Sequence, residues 1–149
     1  MDRYYTIQGA GSSQYKEKMS RFLSFALPAY TAEECKELIK EYQNRYHDAR
    51  HVCWAYMLGP ERKEWQLSDN GEPSGTAGKP ILGQINSMEL TDVLVVVVRY
   101  FGGIKLGTSG LIVCIARIPV YRMNGVSVSL GILGKPEGEV PRHGIAEYE

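Results

Sequence analysis

Apolar residues recur along the chain with three distinct periods, and each predicts a different element. Ser20 to Leu27 (SRFLSFAL) alternates with period two, placing Phe22 and Ser24 on one face and Leu23 and Phe25 on the other, and Pro28 limits it. Thr31 to Tyr46 carries Cys35, Leu38, Ile39, Tyr42 and Tyr46 on one stripe at helical spacing. Thr31 and Glu34 stand three apart at its start, as a capping box requires. His51 to Leu58 (HVCWAYML) reads as a strand, turned by Gly59 and Pro60 and answered by Lys63 to Leu67. Asp92 to Tyr100 contains VLVVVV, with no alternation, so both faces are expected to be buried and the strand to be central.

Polar, glycine-rich stretches separate these elements. Residues 1–20 are weakly patterned and read as a short strand or arm followed by a loop at 9–18. A first loop runs from Ser68 to Gly78, and a helix follows through Ile81, Leu82 and Ile85 to about Ser87. Its start is expected at Ser74 or Thr76, with free amides pointing into the loop. A second loop, Phe101 to Gly110, precedes a helix that Thr108 or Ser109 can cap and that Pro119 ends. Gly125 to Ile132 alternates like an edge strand, and the residues after it have the composition of a tail.

The bulk composition narrows the class. The chain has 149 residues, 44% of them hydrophobic and 23% charged, enough for one folded domain. Seventeen basic residues balance seventeen acidic ones, so net charge gives no footprint of a dedicated nucleic-acid binder. Three cysteines without CxxC spacing and three histidines without ligand spacing suggest neither a disulfide framework nor a metal site. No cofactor motif is present: Gly75, Gly78 and Lys79 have the wrong spacing for a Walker A loop. No signal peptide or membrane span is apparent, and a reduced, cytoplasmic protein is expected.

Chemistry concentrates in the two loops. A glycine-rich turn entering a helix presents N–H groups to an anion. Thr76, Thr108 and Ser109, with the cations Lys79, Arg99 and Lys105, can complete such a cradle, while tight turns account for the same glycines equally well. Asp69 and Glu72 form a possible carboxylate pair, though residues of this kind in a loop also serve as turn formers and caps. His51 is either a strand-end histidine with a local hydrogen bond or a residue facing the loops.

Together, SDNGEPSGTAGKPIL and LTDVLVVVVRYFGGIKLGTSGL resemble the signature of the IMPACT family, S-D-D-G-E-P-x-G-T-A-G-x-P-x-L followed by V-x-R-Y-F-G-G-x-x-L-G-x-G-G-L. HVCWAY is similar to the family's H-x-C-x-A-Y. The resemblance covers roughly residues 18–113. It implies an α/β (α+β) two-layer sandwich like ribosomal protein S5 domain 2, and a link to translation, since eukaryotic relatives bind a translational activator. RNA, the ribosome or a translation-related protein is the implied partner. The residues expected at the contact are Glu72, Ser74, Thr76, Lys79, Arg99, Lys105 and Thr108. The alternatives are an enzyme acting on a phosphorylated or nucleotide substrate and a purely protein-binding regulator.

Two positions depart from the pattern: Asn70 stands where the family commonly has Asp, and Ser109 where it commonly has Gly. The resemblance fades after Val113, which suggests a change of reading frame or an early end. Residues 1–124 are accordingly expected to form the domain and 125–149 an atypical tail, without the family's usual ferredoxin-like C-terminal domain.

Overall fold

The computed structural model describes residues 4–17, 19–72, 74–100, 108–119, 122–124 and 132–133. Its elements run β1 (Tyr5–Ile7), β2 (Gly11–Glu17), β3 (Ser20–Pro28), α1 (Ala32–Arg45), β4 (His51–Leu58), β5 (Glu64–Ser68), α2 (Gly78–Ser87), β6 (Val93–Tyr100), α3 (Ser109–Ala116), β7 (Arg122–Asn124) and β8 (Ile132–Leu133). An antiparallel sheet in the order β2-β3-β6-β4-β5 forms the body, and β1, β7 and β8 form a smaller one.

β6 is the centre, as its unbroken apolar run requires. Val93, Val95 and Val97 face the core under α2 and α3, with Phe22, Cys53, Ile81, Ile85, Leu111 and Cys114. Leu94, Val96 and Val98 face the core under α1, with Cys35, Ile39, Tyr42, Val52 and Tyr56. All six side chains are 0–4% exposed, and such burial is worth about 1.5–3 kcal/mol per large side chain. The expected α+β sandwich is therefore present, but with helices on both faces of the sheet, α2 and α3 on one and α1 on the other, so the two layers anticipated become three.

The capping box of α1 forms with one shift. Thr31 Oγ1 accepts from the Glu34 amide at 3.0 Å, while Glu34 Oε1 accepts from the Tyr30 amide at 2.8 Å, one residue before the cap. The buried stripe is the anticipated one, and burial pushes the Cys35 thiol up to about 12, as befits a core residue.

Residues 9–18 differ from expectation. Gly11–Glu17 is a strand, because β3 offers it a full ladder and Tyr15 packs on Phe22, ring centroids 6.3 Å apart. Polar composition concealed it; an edge strand needs only one apolar face. The strand expected at 125–132 lies, except for Ile132, outside the described residues, as does most of the expected tail.

Candidate functional site

The first loop is organised around an internal anion. Asp69 follows β5 directly and turns its carboxylate onto the start of α2. Oδ1 accepts from the amides of Ala77 (3.0 Å) and Gly78 (2.7 Å), and Oδ2 from that of Gly75 (3.0 Å). The amides expected to be free for a ligand are thus taken by the chain itself. α2 begins at Gly78, with Ala77 rather than Ser74 or Thr76 at the cap position. Ala77 has no side-chain acceptor, so the cap comes from eight residues upstream. Burial pushes the Asp69 carboxyl up, but the three amide bonds and the nearby Lys79 charge outweigh it and hold the group below its ordinary value. Gly78 allows a close approach: a Cβ there would stand 2.7 Å from Leu67 Cδ1 and 3.1 Å from the Ser68 amide nitrogen.

Beside this turn lies a buried ion pair. The Glu72 amide donates to Asp69 O at 2.9 Å, closing a turn that aims the Glu72 side chain at the sheet. Arg99 Nη1 meets both Glu72 oxygens, at 3.1 and 3.2 Å, and the two side chains are only 10% and 8% exposed. Strand register sets this position, since Arg99 on β6 stands opposite His51 on β4. His51 Nε2 lies 3.8 Å from Glu72 Oε2, and its Nδ1 lies 2.9 Å from Asn70 O. A carbonyl only accepts, so Nδ1 carries the proton.

Asn70 has φ 44° and donates from Nδ2 to Val52 O at 2.8 Å, a bond the family's commoner Asp could not make. The Cys53 thiol donates to Asp69 O at 3.1 Å; burial and then the Glu72 and Asp69 charges push its pKa well up, so it stays a thiol.

The structure therefore unites Glu72 and Arg99, with His51 as a third member. Ser74 and Lys79 face solvent, and Thr76 is half-buried in the turn. Thr108 occupies the cap position of α3 with helical torsions (φ −86°, ψ −7°) and no capping bond from its side chain. Lys105 lies outside the described residues. Asp69, Asn70 and Cys53 hold the loop in ways that spacing did not reveal, because each partner is fixed by strand pairing rather than by local sequence. Among the described residues no His, Cys, Asp or Glu cluster could hold a metal, and no helix is long and apolar enough to cross a membrane.

Comparison with known proteins sets this arrangement in context. Residues 18–119 match the Impact N-terminal domain. IMPACT family member YvyE of Bacillus subtilis (strain 168) is 38% identical over 149 aligned positions, taking in 97% of this chain and 64% of its own length. That likeness continues past Val113, where the motif resemblance faded. IMPACT family member YigZ of Escherichia coli (strain K12) is 42% identical over 97 positions, 64% of this chain and 48% of its own. A crystal structure of a hypothetical protein superposes with a TM-score of 0.72 at 32% identity, over 82% of this chain and 64% of that one. The chain thus spans 48–64% of the length of these relatives. With the first loop tied to β4 and β6 by its own hydrogen bonds and the Impact N-terminal domain match running over residues 18–119, the chain belongs to the IMPACT family.

Proposed function

We propose that this chain is a binding domain with a translation-regulatory role, and that it contacts RNA, on the ribosome or free, through the face formed by the first loop and the opening turn of α2. The observation that carries the reading is the commitment of the loop's carboxylates. Asp69 is held by three amides and Glu72 by Arg99, so the loop is preorganised while Ser74 and Lys79 point outward. Preorganisation of this kind lowers the entropic cost of association. Family membership supports the link to translation that the resemblance implies. An enzyme acting through Glu72 would need that carboxylate free for its substrate, whereas both its oxygens are engaged by Arg99, at 3.1 and 3.2 Å.

Co-sedimentation of the full chain with ribosomes, with and without nuclease and across a salt series, tests the reading. Phosphate contacts weaken steeply as salt rises, and Lys79→Ala should lower the salt slope by about 1. Binding indifferent to both nuclease and salt identifies a protein partner instead. No co-sedimentation under any condition overturns the proposal.

A further inference from the structure

β5 is an edge of the sheet. Among the described residues it pairs with β4 on one side and with no strand on the other. Natural edges are usually blunted by lysine, proline, a bulge or a covering segment. Glu64–Ser68 (EWQLS) is short and carries one charge, Glu64, at its first position, but it has no lysine and no proline, and its pairing with β4 runs from Trp54↔Ser68 to Leu58↔Glu64 without a bulge. It also carries Trp65, 48% exposed. The opposite edge, β2, follows the usual practice, with Lys16 among exposed polar side chains.

We propose that a second copy of this chain pairs with β5, antiparallel, about a two-fold axis through Gln66. The strand is complementary to itself in that register. Gln66 meets Gln66, Trp65 meets Leu67 of the other copy, and Glu64 meets Ser68, so no like charges face each other. Trp65 and Leu67 stand opposite Met57 and Ala55, which both face the core under α2, so the indole and the leucine project on the same side. Each exposed Trp65 then covers the Leu67 of its neighbour, twice over. A foreign strand would need its own match to these positions, whereas a second copy supplies it. Five residues form a short seam, and association belongs to the weak class that buries less than about 1,200 Å². The seam also reaches the site: Ser68 accepts from the Asn70 amide at 3.1 Å and immediately precedes Asp69, so pairing braces the start of the first loop.

Sedimentation velocity on the full 149-residue chain, over concentrations from about 1 µM to about 1 mM, tests the proposal. The wild-type chain shifts from monomer toward dimer as concentration rises. Gln66→Lys and Gln66→Glu each set like charges face to face across the axis and weaken dimerisation at least about tenfold, with circular dichroism confirming the fold of each variant. An equimolar mixture of the two variants restores the dimer, because the charges are then opposite. A wild-type chain that stays monomeric throughout, an undiminished dimer in either variant, or a mixture that stays monomeric overturns the proposal. A monomeric chain that binds a foreign peptide along β5 does so as well.

Discussion

Removing the Asp69 carboxylate tests whether the first loop is held from within. Asp69→Ala strips acceptors from the amides of Gly75, Ala77 and Gly78, which now sit 2.7–3.0 Å from carboxylate oxygens. A lost helix cap costs about 0.5–2 kcal/mol, and a hydrogen bond to a charged group contributes about 1.5–3 kcal/mol. The site is only half-buried, so water recovers part of the three bonds, and a net loss of about 2–4 kcal/mol is expected. For a chain of this size each kcal/mol moves Tm by about 2–4 °C, giving a fall of about 4–16 °C.

Asp69→Asn keeps an acceptor oxygen but drops the charge and should lie between the two. The pH dependence carries the sharper signature. The folded carboxyl is held below its ordinary value, so its stabilisation is fully present above the unfolded pKa, about 4, and is lost as pH falls through the folded one. The Tm gap between wild type and Asp69→Asn should be constant from pH 7 to about pH 5 and narrow below about pH 4. Thermal unfolding by circular dichroism at a series of pH values measures it. A gap under about 1 °C for Asp69→Ala at pH 7, or an Asp69→Asn gap unchanged in acid, would refute the internal-anion account.

The Glu72–Arg99 pair and two glycines give further expectations. Glu72→Ala leaves a buried guanidinium without its carboxylate and should cost about 3–5 kcal/mol in urea denaturation. The double variant Glu72→Met, Arg99→Met should recover most of that, and additive losses would show that the two residues do not act as a pair. Gly83→Ala has open space around the new methyl within α2 and should stabilise by about 0.5–1 kcal/mol. Gly78→Ala meets Leu67 and the β5 backbone and should destabilise by about 1–3 kcal/mol; equal effects at the two positions would contradict the close approach described here.

Much of the fold was legible because its signals are local. The helical stripe of α1, the period-two pattern of β3 and the apolar run of β6 each identified an element without reference to its neighbours. β2 was not legible, because Ser12, Ser13 and Gln14 become a strand only when β3 pairs with them. The site divided along the same line. Glycine density located the loop, and the signature pointed to Glu72 and Arg99 as separate ligand contacts, not as partners 27 positions apart in sequence. That the two neutralise each other, and that Asp69 fills the helix start, are consequences of tertiary pairing. Sequence shows donors and acceptors but not which ones the chain spends on itself.

The valines of β6 also bear on how the sheet finds its alignment. Val95 to Val98 put the same side chain on both faces, so sliding the strand by one residue exchanges valine for valine and leaves either core equally apolar. Hydrophobicity cannot tell these frames apart. The distinguishing marks stand at the two ends: Asp92, whose Oδ1 accepts from the Gly59 amide at 3.0 Å, and Arg99, gripped by Glu72. The strand resembles a ruler with blank divisions between two labelled ends, and the ion pair at the site is one of its labels.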